Sequence, residues 1–84
     1  MVEGMVIQVL QPDRVMISQG TDDGVDDDMV FAVRFERSIA APEKCRLRVI
    51  LPGRNTTLCE ATTTPLPNIV APGDYVHEVS ETST

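Results

Sequence analysis

Apolar residues in this chain recur mainly at every second position, in short runs cut by glycine, proline and aspartate. That period, with many β-branched residues, predicts half-buried strands rather than helices. Residues 4–10 make the first strand, and Gln11-Pro12-Asp13 a tight polar turn into the second, Val15-Met16-Ile17. The third, residues 29–36, alternates Met29, Phe31, Val33 and Phe35 with Val30, Ala32, Arg34 and Glu36. Between the second and third lies a Gly/Asp-rich excursion, too long for a two-residue hairpin. Gly20 and Gly24 supply positive φ there, while Thr21, Asp22 and Asp23 bond their own backbone. The expectation is a broad diverging turn over residues 20–28 that splays the two strands into different sheets.

Residues 38–43 carry Pro42 and lose the period, which predicts an exposed loop. Residues 45–51 form the fourth strand, with Cys45, Leu47, Val49 and Leu51 on one face and Arg46, Arg48 and Ile50 on the other. Pro52-Gly53-Arg54-Asn55 has strong turn chemistry, and residues 58–63 return as the fifth strand. Pro65-Leu66-Pro67-Asn68 cannot continue a ladder, because proline removes a donor. Ile69 and Val70 are expected as a short turn plugging the barrel end, before residues 75–79 close it. Residues 1–79 thus read as one all-β domain, a small barrel of five to six short antiparallel strands, and 80–84 as a flexible polar tail.

The order Gly4-x-Val6, Asp13-Arg14-Val15-x-Ile17, Gly20-Thr21-x-Asp23-Gly24-Val25 and Met29-x-Phe31-x-Val33 resembles small SH3-like β-barrel modules. Such modules occur at the C-terminus of the bacterial flagellar assembly protein T and in other cell-envelope proteins. Leu47-Arg48-Val49, Cys59-Glu60-Ala61 and Pro72-Gly73-Asp74-Tyr75-Val76 fall where these modules place later strands. The resemblance spans nearly the whole chain, but its motifs are turns and core positions, so it implies a fold more than an activity. One departure is Asp28, which stands where the modules usually have glycine before the Met-x-Phe strand.

Eighty-four residues without tryptophan make a modest aliphatic core, with Phe31, Phe35 and Tyr75 as its few large members. A core that thin benefits from burial against a partner, so oligomerisation is a physical expectation. A net charge of −6 argues against grasping a phosphate backbone, and hence against nucleic acid as partner. No apolar run approaches the ~18 residues of a membrane span. Met1-Val2-Glu3-Gly4 leads into a strand pattern without a basic n-region, so no leader is expected. The chain reads as cytoplasmic, as incorporated in an assembled particle, or as a domain of something longer. Asn55-Thr56-Thr57 matches a glycosylation sequon, which carries no weight without a secretory route.

Four groups could carry chemistry. Asp22, Asp23, Asp26, Asp27 and Asp28 offer oxygens to a hard cation, but not in the spacing of a calcium loop, and no glutamate closes them. A solvated turn whose carboxylates cap amides is the plainer account. Cys45 and Cys59 fall opposite or diagonal to each other if the turn centres on Pro52, which allows a disulfide. Absent a secretion signal, two free apolar thiols are favoured. His77 has no evident nucleophile or orienting carboxylate and reads as an ordinary strand histidine at a surface or interface. Arg34, Arg46 and Arg48 form an outward row beside the apolar Val30, Ala32 and Ile50.

A sheet wetted on one side should alternate cleanly, so these last six residues are expected to face another subunit. The chain therefore reads as a non-enzymatic structural or interaction subunit, needing no cofactor, within a homo-oligomer or larger assembly such as a virion or a secretion or envelope complex. The alternative is a metal- or ligand-binding accessory domain using the Asp-rich turn.

Overall fold

The structure, a computed structural model, describes residues 2–10, 13–38, 40–62 and 70–79. Among the described residues there are six strands: β1 (Glu3–Leu10), β2 (Arg14–Ile17), β3 (Val30–Arg34), β4 (Glu43–Pro52), β5 (Thr57–Ala61) and β6 (Tyr75–Val79). Every pairing is antiparallel, and the order β1-β2-β5-β4-β3-β6 closes on itself. Closure removes the open strand edges that otherwise invite aggregation. No helix among the described residues is long and apolar enough to cross a membrane.

Alternation fills the barrel. Val6, Val15, Ile17, Phe31, Val33, Leu47, Cys59 and Val76 point inward and are all fully buried. Val70 packs against the same core; Ile69, the Pro65–Asn68 stretch, the Gln11–Pro12 turn and the 80–84 tail lie outside the described residues. The all-β expectation holds, with one difference. β2 and β3 do not splay into two sheets; they belong to one closed sheet, separated by β5 and β4.

The connection between them is a docked turn. Thr21–Asp23 is a single 3-10 turn, and Gly24 leaves it at φ 99°, the left-handed conformation glycine tolerates. Gly20 has another reason to be glycine. Its backbone is extended, and a Cβ there would fall 2.4 Å from the carbonyl oxygens of both Gly53 and Arg54. The approach is that close because the Thr21 and Asp22 amides donate to the Gly53 and Arg54 carbonyls, at 2.8 and 3.1 Å. The turn thus rests on the β4–β5 hairpin and drops Val25 into the core.

Three register shifts break the simple alternation. Ile7, Lys44 and Ile50 are the extra residues of these bulges, opposite β2, β3 and β5 in turn. A β-bulge bends its strand and puts an extra residue on one side. Beyond the Lys44 bulge β3 stops at Arg34, so Phe35 is 52% exposed rather than a core member. Beyond the Ile50 bulge Leu51 is 64% exposed, although plain alternation put it beside Val49 inside.

Candidate interaction surface

The polar groups singled out in the sequence are mostly at work within the chain. Asp23 accepts from the Gly20 amide at 3.0 Å, Asp26 from the Asp28 amide at 3.1 Å, and Asp22 lies 3.4 Å from the Arg54 guanidinium. These carboxylates cap and brace the turn. Among the described residues no three His, Cys, Asp or Glu side chains converge on a point that could hold a metal.

His77 is buried, not at a surface. The Arg34 Nε–H donates to its Nε2 at 3.0 Å, and its Nδ1 stands 3.0 Å from the Glu78 carbonyl oxygen, which the Nδ1–H tautomer would meet as donor. Arg34 also donates to the Ala41 carbonyl at 3.0 Å. Glu43 stands 3.9 Å from Arg34 and accepts from Arg46 at 2.9 Å.

Cys45 pairs across the ladder with Val33, and Cys59 with Val49, four positions further along β4. They are therefore neither opposite nor diagonal to each other, and both are free, buried thiols. Burial pushes Cys59 up to about 12. Burial, helped by the charges of Glu43 and Asp74, raises Cys45 to about 11. The thiolate is the reactive form, so neither sulfur is a nucleophile near neutral pH.

A half-open groove of about 130 Å³ lies among Met5, Phe35, Tyr75, Glu36, Arg37 and Asp74. Pockets that enclose a drug-sized ligand hold ~300–1,000 Å³. Moreover, Lys44 already sits 4.9 Å over the Phe35 ring and Arg37 5.8 Å over Tyr75.

What remains is the outside of the barrel. Of the six residues expected to face a subunit, Ala32 is fully covered by its own chain, Val30 is half-buried, and Arg34 and Arg46 are held as described. Arg48 and Ile50 are exposed. The larger apolar surface lies to the other side of Ile50. Ladder pairing aligns Gln8 with Met16, Met16 with Leu58 and Leu58 with Leu51, one row across four adjacent strands. The two bulges add Ile7 and Ile50 at the ends of that row, and Leu10 stands one step away. Ile7, Leu10, Ile50 and Leu51 are between 36% and 64% exposed. Next to the stripe runs a second aligned row, Leu10, Arg14, Glu60 and Arg48. Ile7, Leu10, Met16, Leu51 and Leu58 were not foreseen, because nothing in the local sequence announces a bulge.

No protein-family model matches this chain, and no curated protein matches it significantly. The closed six-stranded barrel is compatible with an SH3-like module.

Proposed function

We propose that this chain is a non-enzymatic interaction subunit, a small barrel that docks through its outer face within a larger assembly. The observation that carries the reading is the stripe of Ile7, Met16, Leu58, Leu51 and Ile50 across β1, β2, β5 and β4. Ile7, Ile50 and Leu51 are exposed and Met16 and Leu58 half-buried, and apolar surface left in water and rimmed by charge marks a site of association. Much of the other chemistry supports the barrel itself: His77, the buried thiols, Arg34, Arg46 and the carboxylates of Asp22, Asp23 and Asp26. The likeness to the modules of flagellar assembly protein T and other envelope proteins suggests a secretion or envelope complex, or a virion, as the setting.

The test is native mass. In gentle extracts and when purified, the wild type should run well above 9.2 kDa. Leu51→Asp and Ile50→Asp should release it as a folded, lighter species. A wild type that runs as a free monomer under both conditions overturns the reading.

A further inference from the structure

His77 lies outside the barrel core yet out of water. Its neighbour Val76 is a fully buried core residue, so His77, one position on, points to the outer face of β6. Its ladder partners there are Ala32 on β3 and Glu3 on β1. The ring is nevertheless only 3% exposed. Against it lies the Arg34 guanidinium, which spans two groups. Nε–H donates to His77 Nε2 and Nη1–H to the Ala41 carbonyl, both at 3.0 Å. Ala41 belongs to the turn from β3 to β4, which closes with the Phe35 amide donating to the Pro42 carbonyl at 3.1 Å. One guanidinium therefore ties that turn to the imidazole.

We propose that this contact is an acid-released latch, in which a proton taken up at His77 Nε2 displaces Arg34 and lets the β3–β4 turn lift. The bond needs a lone pair on Nε2, and an imidazolium has none, because both its nitrogens donate. Protonation also sets two cations side by side, and like charges repel most strongly away from water. Both have a carboxylate to turn to. Glu43 stands 3.9 Å from Arg34 and already holds Arg46, the ladder partner of Ala32. Glu3, the ladder partner of His77, accepts from the Tyr75 hydroxyl at 2.7 Å, and the Tyr75 ring is 5.6 Å from the imidazole. Of the other charged groups nearby, Glu78 is engaged by the Val2 amide and Arg37 lies over Tyr75. The acid form is thus a second arrangement of the same side chains on an intact barrel.

The latched form binds one proton fewer, so lowering the pH shifts the population toward the released form. Imidazole charges between about pH 5 and 8, which sets the working range. The turn carries Phe35 and Arg37, which line the groove with Met5 and Tyr75. Release opens that groove and uncovers Tyr75, only 8% exposed when latched. This surface is separate from the stripe, and the latch does not depend on how the stripe is used.

The test is amide hydrogen exchange, expressed as protection relative to the intrinsic rate, at about pH 7.5 and about pH 5. The Phe35 amide, and the Ala41 amide that donates to Ser38, should lose about tenfold in protection at the lower pH. Phe31 and Leu47 in the core should keep theirs. His77→Gln offers an amide oxygen that accepts from Arg34 without titrating, so its turn should stay protected at both pH values. Arg34→Met should leave the turn unprotected at both. Flat wild-type protection overturns the latch. So does a His77→Gln variant that loses protection with acid as the wild type does, which would assign the effect to Glu3 or Glu43. Should His77→Gln not fold, the ring nitrogen chemical shifts of the wild type decide. An Nδ1–H tautomer that gains its second proton as Phe35 loses protection supports the latch. An Nε2–H tautomer at neutral pH, or a ring titration that leaves Phe35 unmoved, overturns it.

Discussion

Gly20→Ala tests the keystone of the fold, the docking of the diverging turn on the β4–β5 hairpin. The added methyl has nowhere to go, because it would sit 2.4 Å from two backbone oxygens rather than from a side chain that can swing away. The turn must lift, and the Thr21-to-Gly53 and Asp22-to-Arg54 hydrogen bonds lengthen or break. Each contributes about 1 kcal/mol net, and forcing volume into a packed site costs about 1–3 kcal/mol more. The expected loss is about 2–5 kcal/mol, a large share of the roughly 4–13 kcal/mol available to a domain this size. Gly73→Ala is the control. Gly73, unlike Gly20, needs a left-handed backbone, at φ 95°, but has open space around it, so only local strain of about 1–2 kcal/mol is expected. Urea titrations followed by circular dichroism give both numbers. A Gly20→Ala loss no greater than that of Gly73→Ala would refute the docked turn.

Other consequences concern the buried polar groups. The thiols ionise near pH 9 in the unfolded chain but only at about 11 and about 12 when folded. Above pH 9 the unfolded state therefore binds fewer protons, and stability, fully present below that pH, should fall as pH rises toward 11, by about 1.4 kcal/mol per pH unit for each thiol. Urea midpoints across that range check this, and Cys59→Ala should flatten the curve; a flat wild-type curve contradicts buried thiols. Asp74 accepts from Lys44 at 2.9 Å and from the Ala71 amide at 2.8 Å, with both charged side chains nearly buried. Asp74→Ala should cost about 2–4 kcal/mol, and a double-mutant cycle with Lys44→Met should show coupling of at least about 1 kcal/mol; independent effects would mean the pair is not formed. Millimolar calcium should leave the melting temperature unchanged, since Asp23 and Asp26 are turned to backbone amides; a rise abolished by Asp27→Ala would reverse that.

The strands were legible because alternation, turn residues and β-branching agree along most of the chain. Residues 75–79 emerge as the closing strand, and Phe31, Val33 and Leu47 as core. The same logic failed at Phe35 and Leu51. Leu51 lies just past a bulge on its own strand, where one extra residue turns the next side chain around, and Phe35 lies past the end of β3, which stops at Arg34 opposite the Lys44 bulge of β4. A bulge is set by pairing with a distant strand, so the local pattern around Lys44 or Ile50 cannot show it. Sequence reasoning found the apolar excess at Val30, Ala32 and Ile50 but could not tell that Ala32 is covered by its own chain. Nor could it align Met16 with Leu58 before the register of β2 on β5 was known. His77 was misplaced for a similar reason: it is buried and bonded to Arg34, 43 positions away.

The claim that the β1-β2-β5-β4 face is the working surface is tested most directly by footprinting the chain in its assembled and dissociated states. Hydroxyl-radical oxidation reads the solvent exposure of Met16, Leu51, Leu58, Ile7 and Ile50 without any knowledge of the partner. Assembly should protect these five while Met5 and Phe35, on the other exposed apolar patch, stay as reactive as before. Protection of Met5 and Phe35 instead, with the stripe unchanged, would contradict the account.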